Sequence, residues 1–154
     1  MAEYYADSSV LVKRHVNEVG SAWIRALTDP RRGNTMATAR LSVVEVFSAL
    51  NRRRREARLS DTDYADIVTE FTTVCTTEYE LIELTPTVVD QARSLLERYP
   101  LRASDAAQLA SALTVNSALQ IAGLVPLTLL AADDRLLDAA RAEGLATDNP
   151  NRYP

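Results

Sequence analysis

LTLLAADDRLLDAARAEG, residues 127–144, changes its repeat in the middle. Residues 127–132 are almost continuously apolar, the pattern of a strand covered on both faces. From Asp133 onward Leu136, Leu137, Ala139 and Ala140 recur at helical spacing, and Gly144 ends the run. A buried strand that passes through an acid into an amphipathic helix is one half of a strand–helix–strand unit, so a parallel sheet is expected.

The rest of the chain repeats this grammar. EYYAD (3–7) is a short aromatic strand ending in an acid, and SSVLVKRHV (8–16) begins with small capping residues and continues as a helix. GSAWIRALTD (20–29) predicts a helix stopping before Pro30, TMATA (35–39) a second strand, and LSVVEVFSALNRRRREARL (41–59) a long helix packing through Val43, Val46, Phe47 and Leu50. Ser60 and Asp63 resemble a capping box ahead of a helix striped by Tyr64, Ile67, Phe71, Val74 and Cys75. ELIEL (80–84) alternates as a third strand, and Thr85-Pro86 opens a helix that packs through Val88, Ala92 and Leu95. LRASDAAQLASAL (101–113) starts the next helix, and LAT (145–147) makes a last edge strand. The expected fold class is α/β, a three-layer α/β/α sandwich around a mainly parallel, roughly five-stranded sheet with right-handed crossovers, in a single domain over residues 1–154.

Composition narrows the function classes. The chain has 154 residues, 47% hydrophobic and 25% charged, which suits one core that needs no disulfide. The lone Cys75 reads as a small core thiol, and its isolation suits the cytoplasm. No run approaches the ~18 to 20 apolar residues of a membrane span, so no membrane association is expected. A net charge of −4 argues against a broad basic face for duplex nucleic acid, although charge segregated on one surface still permits RNA.

The acids carry the chemistry. Asp7 and Asp133 end strands that a parallel sheet would point toward the same edge, where such folds bind ligands. Each also suits a helix N-cap, and Asp105 suits the first turn of its helix. Glu45 lies among Val43, Val44, Val46 and Phe47, so it is either partly buried and paired or serves a ligand. Four converging carboxylates repel one another unless a counterion relieves them. Oxygen-only donors without histidine or cysteine favour Mg²⁺ or Mn²⁺ over zinc.

Y-A-D-S-S, L-S-V-V-E-V, L-R-A-S-D-A-A-Q-L-A and A-D-D-R-L-L-D-A-A-R-A-E-G-L, in this order and extending to the terminal D-N-P, resemble the PIN-domain ribonucleases, most closely the VapC-type toxins of type II toxin–antitoxin systems. The resemblance implies a Mg²⁺- or Mn²⁺-dependent endoribonuclease acting on single-stranded RNA, a cognate VapB-type antitoxin partner and a homodimer. It carries the acidic quartet over to Asp7, Glu45, Asp105 and Asp133, with Asp7 and Asp105 as metal ligands. Asp133 is preferred to Asp134 because Arg135 and Leu136 follow it as in the family pattern. The family's serine or threonine before the last acid is replaced here by Ala131 and Ala132. Ser9 resembles the hydroxyl the family places beside the metal, and it equally suits a bond to the helix backbone.

Arg102, three residues before Asp105, could orient a carboxylate, contact a substrate phosphate or lie solvated. Arg52, Arg53, Arg54, Arg55 and Arg58 suit a helix C-terminus in solvent, with RNA backbone contact, and after it contact with an antitoxin, as the alternatives. His15 lacks a local metal partner and reads as a surface or groove residue. Two other functions compete. A catalytically silent PIN-like binding module would keep the fold without turnover. A phosphoryl-accepting α/β module needs a late lysine, whereas the only lysine is Lys13.

Overall fold

The computed structural model describes all residues, Met1–Pro154. Strands β1 (Glu3–Ala6), β2 (Thr35–Ala39), β3 (Tyr79–Ile82), β4 (Thr128–Leu130) and β5 (Ala146–Asp148) form one sheet in the order β3-β2-β1-β4-β5. Every neighbouring pair is parallel, with Tyr5 opposite Ala37 on one side and Leu129 on the other. The helices are α1 (Ser8–His15), α2 (Ser21–Leu27), α3 (Arg40–Arg55), α4 (Asp61–Thr77), α5 (Pro86–Arg98), α6 (Ala103–Ile121) and α7 (Asp134–Ala142).

The period-two alternation of the strands divides two cores. Tyr5, Ala37 and Leu129 pack with Val88, Leu95, Leu109, Leu136 and Leu137 of the α5–α7 layer. Ala6, Met36 and Leu130 pack with Val10, Ile24, Val46, Leu50 and Phe71 of the α1–α4 layer. This is the expected three-layer α/β/α sandwich. Leu129 and Leu130 are both completely buried, one toward each layer, so truncating either to alanine would cost about 2–5 kcal/mol.

The chain runs outward from β1 to β3 and then returns through α5 and α6 to β4, on the other side of β1. The sheet therefore has a switch point between β1 and β4. In open α/β sheets the crevice beyond the strand carboxyl ends at such a point is where ligands bind. Asp7 and Asp133 sit just beyond those two ends.

The helix starts follow the expected chemistry. Ser60 Oγ accepts from the Asp63 amide at 3.0 Å, and Thr85 caps α5 with Pro86 at its first position. Three readings need correction. The helix expected to reach Leu59 ends at Arg55, because Ala57 takes a left-handed φ of 56° and the Arg58 amide returns to the Arg53 carbonyl at 2.9 Å. Of the surface or groove position expected for His15 the surface half fails: it is 7% exposed, borders a concavity with Asp63 and Asp66, and packs edge-on to Phe71, with Nδ1 3.3 Å from Glu70. Burial pulls its pKa down and favours the neutral ring. Cys75 is only half-buried beside the core. At the C-terminus, Tyr153 stacks on Trp23 with centroids 4.4 Å apart, and Gly20 (φ 85°) lies so close to Pro150 that a Cβ would meet its carbonyl oxygen at 2.4 Å.

Candidate active site

Asp7 is both cap and site residue. Its Oδ1 accepts from the Val10 amide at 3.2 Å and the Ser9 hydroxyl at 2.5 Å, which leaves Oδ2 without a protein partner. Ser9 Oγ also accepts from the Ala132 amide at 3.2 Å, so one hydroxyl joins the end of β1 to the segment after β4. That bond supports the backbone at Ala132, immediately before Asp133.

Asp133 caps α7 in the same way, with Oδ1 accepting from the Arg135 amide at 2.8 Å. Asp105 lies in the first turn of α6. Glu45 projects from α3, and its Oε1 accepts from Gln108 Nε2 at 2.8 Å. The four acids, with Ser9 and Arg102, line one concavity of about 530 Å³ at the switch point. Capping explains two positions locally, yet the fold brings all four to one place. Asp134 also borders the concavity, but its Oδ1 accepts from Asn149 Nδ2 at 3.1 Å.

Charge at this site is poorly balanced. Burial pushes the Asp7 carboxyl up to about 7, and the nearby charges of Asp105 and Glu45 push in the same direction, while bonds from Ser9 and Val10 oppose the rise. Arg102 supplies the one close cation. Its Nε is 3.3 Å from Asp105 Oδ2, and its Nη2 is 3.8 Å from Asp133 Oδ2. The guanidinium is largely exposed, so its stabilising effect is screened by solvent.

The residues fit a hard divalent cation. Every donor is oxygen, one carboxylate is ionised only at a cost, and Asp7 Oδ2 is unspent. No three of these acids stand close enough together to hold one ion jointly, so a cation here would be held directly by one or two carboxylates with water completing its shell.

A second concavity of about 520 Å³ shares Ser8, Ser9, Glu45 and Ala132 with the first and runs between α1 and α3 to Arg52 and Arg53. Arg53 is 3.4 Å from Glu18, Arg54 is 2.6 Å from Asp61, and Arg58 pairs with Glu56. Arg52 has no acidic partner and stands exposed at the groove. Lys13 is 7% exposed and spends its ammonium on the Val19 carbonyl at 2.9 Å and on Glu18 at 3.6 Å. It is committed away from the acids, contrary to what phosphoryl acceptance requires.

Sequence reasoning missed Gln108. It is 2% exposed, and its amide joins Glu45 to Tyr5 and Ser42. The available signal was one long polar residue inside AAQLASAL, three positions after Asp105 and thus on the same helix face.

Comparisons with known proteins show the family and the fold. The PIN domain family matches residues 4–142. Ribonuclease VapC49 of Mycobacterium tuberculosis is 34% identical over 112 residues, covering 73% of this chain and 76% of that protein. The fold is similar to VapBC2 from Rickettsia felis, solved bound to a DNA fragment from their promoter (TM-score 0.64, 13% identity, 96% of this chain and 98% of that one). It is also similar to Mycobacterium tuberculosis VapC20, described as a Sarcin-Ricin loop cleaving toxin (TM-score 0.61, 16% identity, 98% of this chain and 99% of that one).

Proposed function

The chain belongs to the PIN-domain family, in its VapC-type branch, and from that premise we propose that it is a Mg²⁺- or Mn²⁺-dependent endoribonuclease that cuts single-stranded RNA as the toxin of a toxin–antitoxin pair. The observation that carries the reading is the convergence of Asp7, Glu45, Asp105 and Asp133 on one concavity at the sheet's switch point.

Asp7 and Asp105 would hold the cation, directly or through water. When bound, Mg²⁺ or Mn²⁺ supplies a water of lowered pKa and positive charge opposite the phosphate. Glu45, held by Gln108, would add its charge to the pocket that attracts the cation, and would orient the attacking water and take its proton. Asp133, fixed by its cap bond, completes the negative pocket. Arg102 can swing from its two acids to a phosphate oxygen, because it is exposed and only loosely held. The groove toward Arg52 gives the RNA backbone a path away from the cut site.

The same reading assigns a VapB-type antitoxin as partner, a homodimer, the cytoplasm as the site of action and one domain over residues 1–154. The similarity to relatives named Ribonuclease VapC and to a VapBC structure supports the first of these. No helix is long and apolar enough to cross a membrane. The testing experiment expresses the wild type alone in a bacterial host: growth should slow as RNA is cut, whereas Asp7→Asn should leave growth normal. Equal toxicity of the two would remove the reading.

A further inference from the structure

We infer that Gln108 is a positioning residue for Glu45, aiming that carboxylate at the cavity through a chain of largely buried hydrogen bonds; the inference rests on the ribonuclease reading. Gln108 Nε2 donates to Glu45 Oε1 and to Ser42 Oγ, each at 2.8 Å, while its Oε1 accepts from the Tyr5 hydroxyl at 2.6 Å. Thr38 Oγ1 donates to the Ala6 carbonyl at 2.7 Å and lies 2.8 Å from Ser42 Oγ. Tyr5, Thr38 and Ser42 are fully buried, so each polar atom here must find a partner inside the protein.

The directions of these bonds follow from their ends. A carboxylate only accepts, so the NH₂ end of the amide faces Glu45 and its oxygen faces Tyr5. Tyr5 must then donate and remain a phenol. A backbone carbonyl also only accepts, so Thr38 gives its proton to Ala6, and Ser42 gives its own to Thr38. Ala6 adjoins Tyr5 in β1, which closes the circuit.

This circuit ties together the elements that carry three of the four acids. Asp7 follows Ala6, Asp105 lies one turn before Gln108 on α6, and Glu45 lies one turn after Ser42 on α3. Glu45 is the only carboxylate in the chain of bonds and the point at which it reaches the cavity. Side chains that orient a site's carboxylates from behind typically change metal affinity or activity 10–100-fold when they are lost.

The test compares Gln108→Met, which removes the donor at similar volume, Tyr5→Phe, which removes one oxygen, and Leu109→Ala, which cuts the core of the same helix outside the circuit. Cleavage of a single-stranded RNA oligonucleotide is measured with Mn²⁺, and Mn²⁺ binding is measured by electron paramagnetic resonance on RNA-free protein. Gln108→Met should lower kcat about 10–100-fold with KM within about twofold, and should raise the Mn²⁺ Kd about tenfold. Tyr5→Phe should shift both in the same direction by about fivefold. Leu109→Ala should lower Tm yet leave both within about twofold. Wild-type kcat and Mn²⁺ affinity in Gln108→Met and Tyr5→Phe would overturn the inference, as would equal losses in Leu109→Ala. If Gln108→Met does not fold, Tyr5→Phe decides by the same readouts. A wild type that cuts no RNA would overturn the ribonuclease reading instead, and the Mn²⁺ titration would then decide for Gln108.

Discussion

Arg102 Nε stands 3.3 Å from Asp105 Oδ2, and the same guanidinium reaches within 3.8 Å of Asp133 Oδ2. One exposed cation thus stands between two acids from different helices. On the proposed reading it partly neutralises them while no divalent ion is bound, and would be free for substrate once one is. Arg102→Ala should therefore tighten Mn²⁺ binding by about two- to fivefold, the scale of an exposed ion pair, while lowering kcat/KM on RNA by about fivefold or more. Isothermal titration and initial rates check the two together. A change of both in the same direction would contradict this double role.

Asp7 sets a pH dependence with a definite sign. Its pKa is raised from 3.8 to about 7, so between these values the folded chain keeps a proton that the unfolded chain has lost. Metal-free stability from this group is therefore complete below about pH 4 and falls as pH rises toward 7. Asp7→Asn keeps a capping oxygen and removes the charge, so at pH 8 without metal it should be more stable than wild type, by up to about 4 kcal/mol, with the gain vanishing near pH 4. Mg²⁺ should raise the wild-type Tm at pH 8 and leave that of Asp7→Asn nearly unmoved. Thermal denaturation across pH checks both, and a destabilised Asp7→Asn at pH 8 would contradict the account.

The outline of the fold was legible in the sequence because the strand-to-helix changes of period at 127–144 and 3–16 are local signals. The end of α3 was not, because alanine rarely takes the left-handed turn that Ala57 adopts. The burial of His15 was not legible, because nothing in its local sequence announces that Phe71, 56 positions away, will cover it. Asp7, Glu45, Asp105 and Asp133 were legible as candidates, each from its neighbours. Their convergence, the Arg102 bridge and the Gln108 circuit come from tertiary packing, since the bond from Tyr5 to Gln108 spans 103 positions.

Asp133 and Asp134 should separate on substitution. Asp133 has an oxygen beside Arg102, whereas Asp134 is held by Asn149. Asp133→Asn should lower kcat at least about 100-fold while retaining its cap, and Asp134→Asn should lower it less than about fivefold. The reverse order of loss would move the fourth acid to Asp134.

Arg52 is the unpaired cation of the groove beside Glu45. Arg52→Ala should raise KM for RNA about two- to fivefold with kcat unchanged, and should reduce the salt slope of binding by about one unit. An unchanged KM across salt concentrations would place the RNA elsewhere.

The most direct measurement is cleavage of a single-stranded RNA by purified wild type and by Asp105→Asn, each with Mg²⁺ or Mn²⁺ and again with excess chelator. Wild type should cut only with the metal, while Asp105→Asn, with unchanged circular dichroism, should lose at least about 100-fold in rate. Cleavage by Asp105→Asn at the wild-type rate, or by the wild type in chelator, would contradict a metal-dependent site built on these four acids.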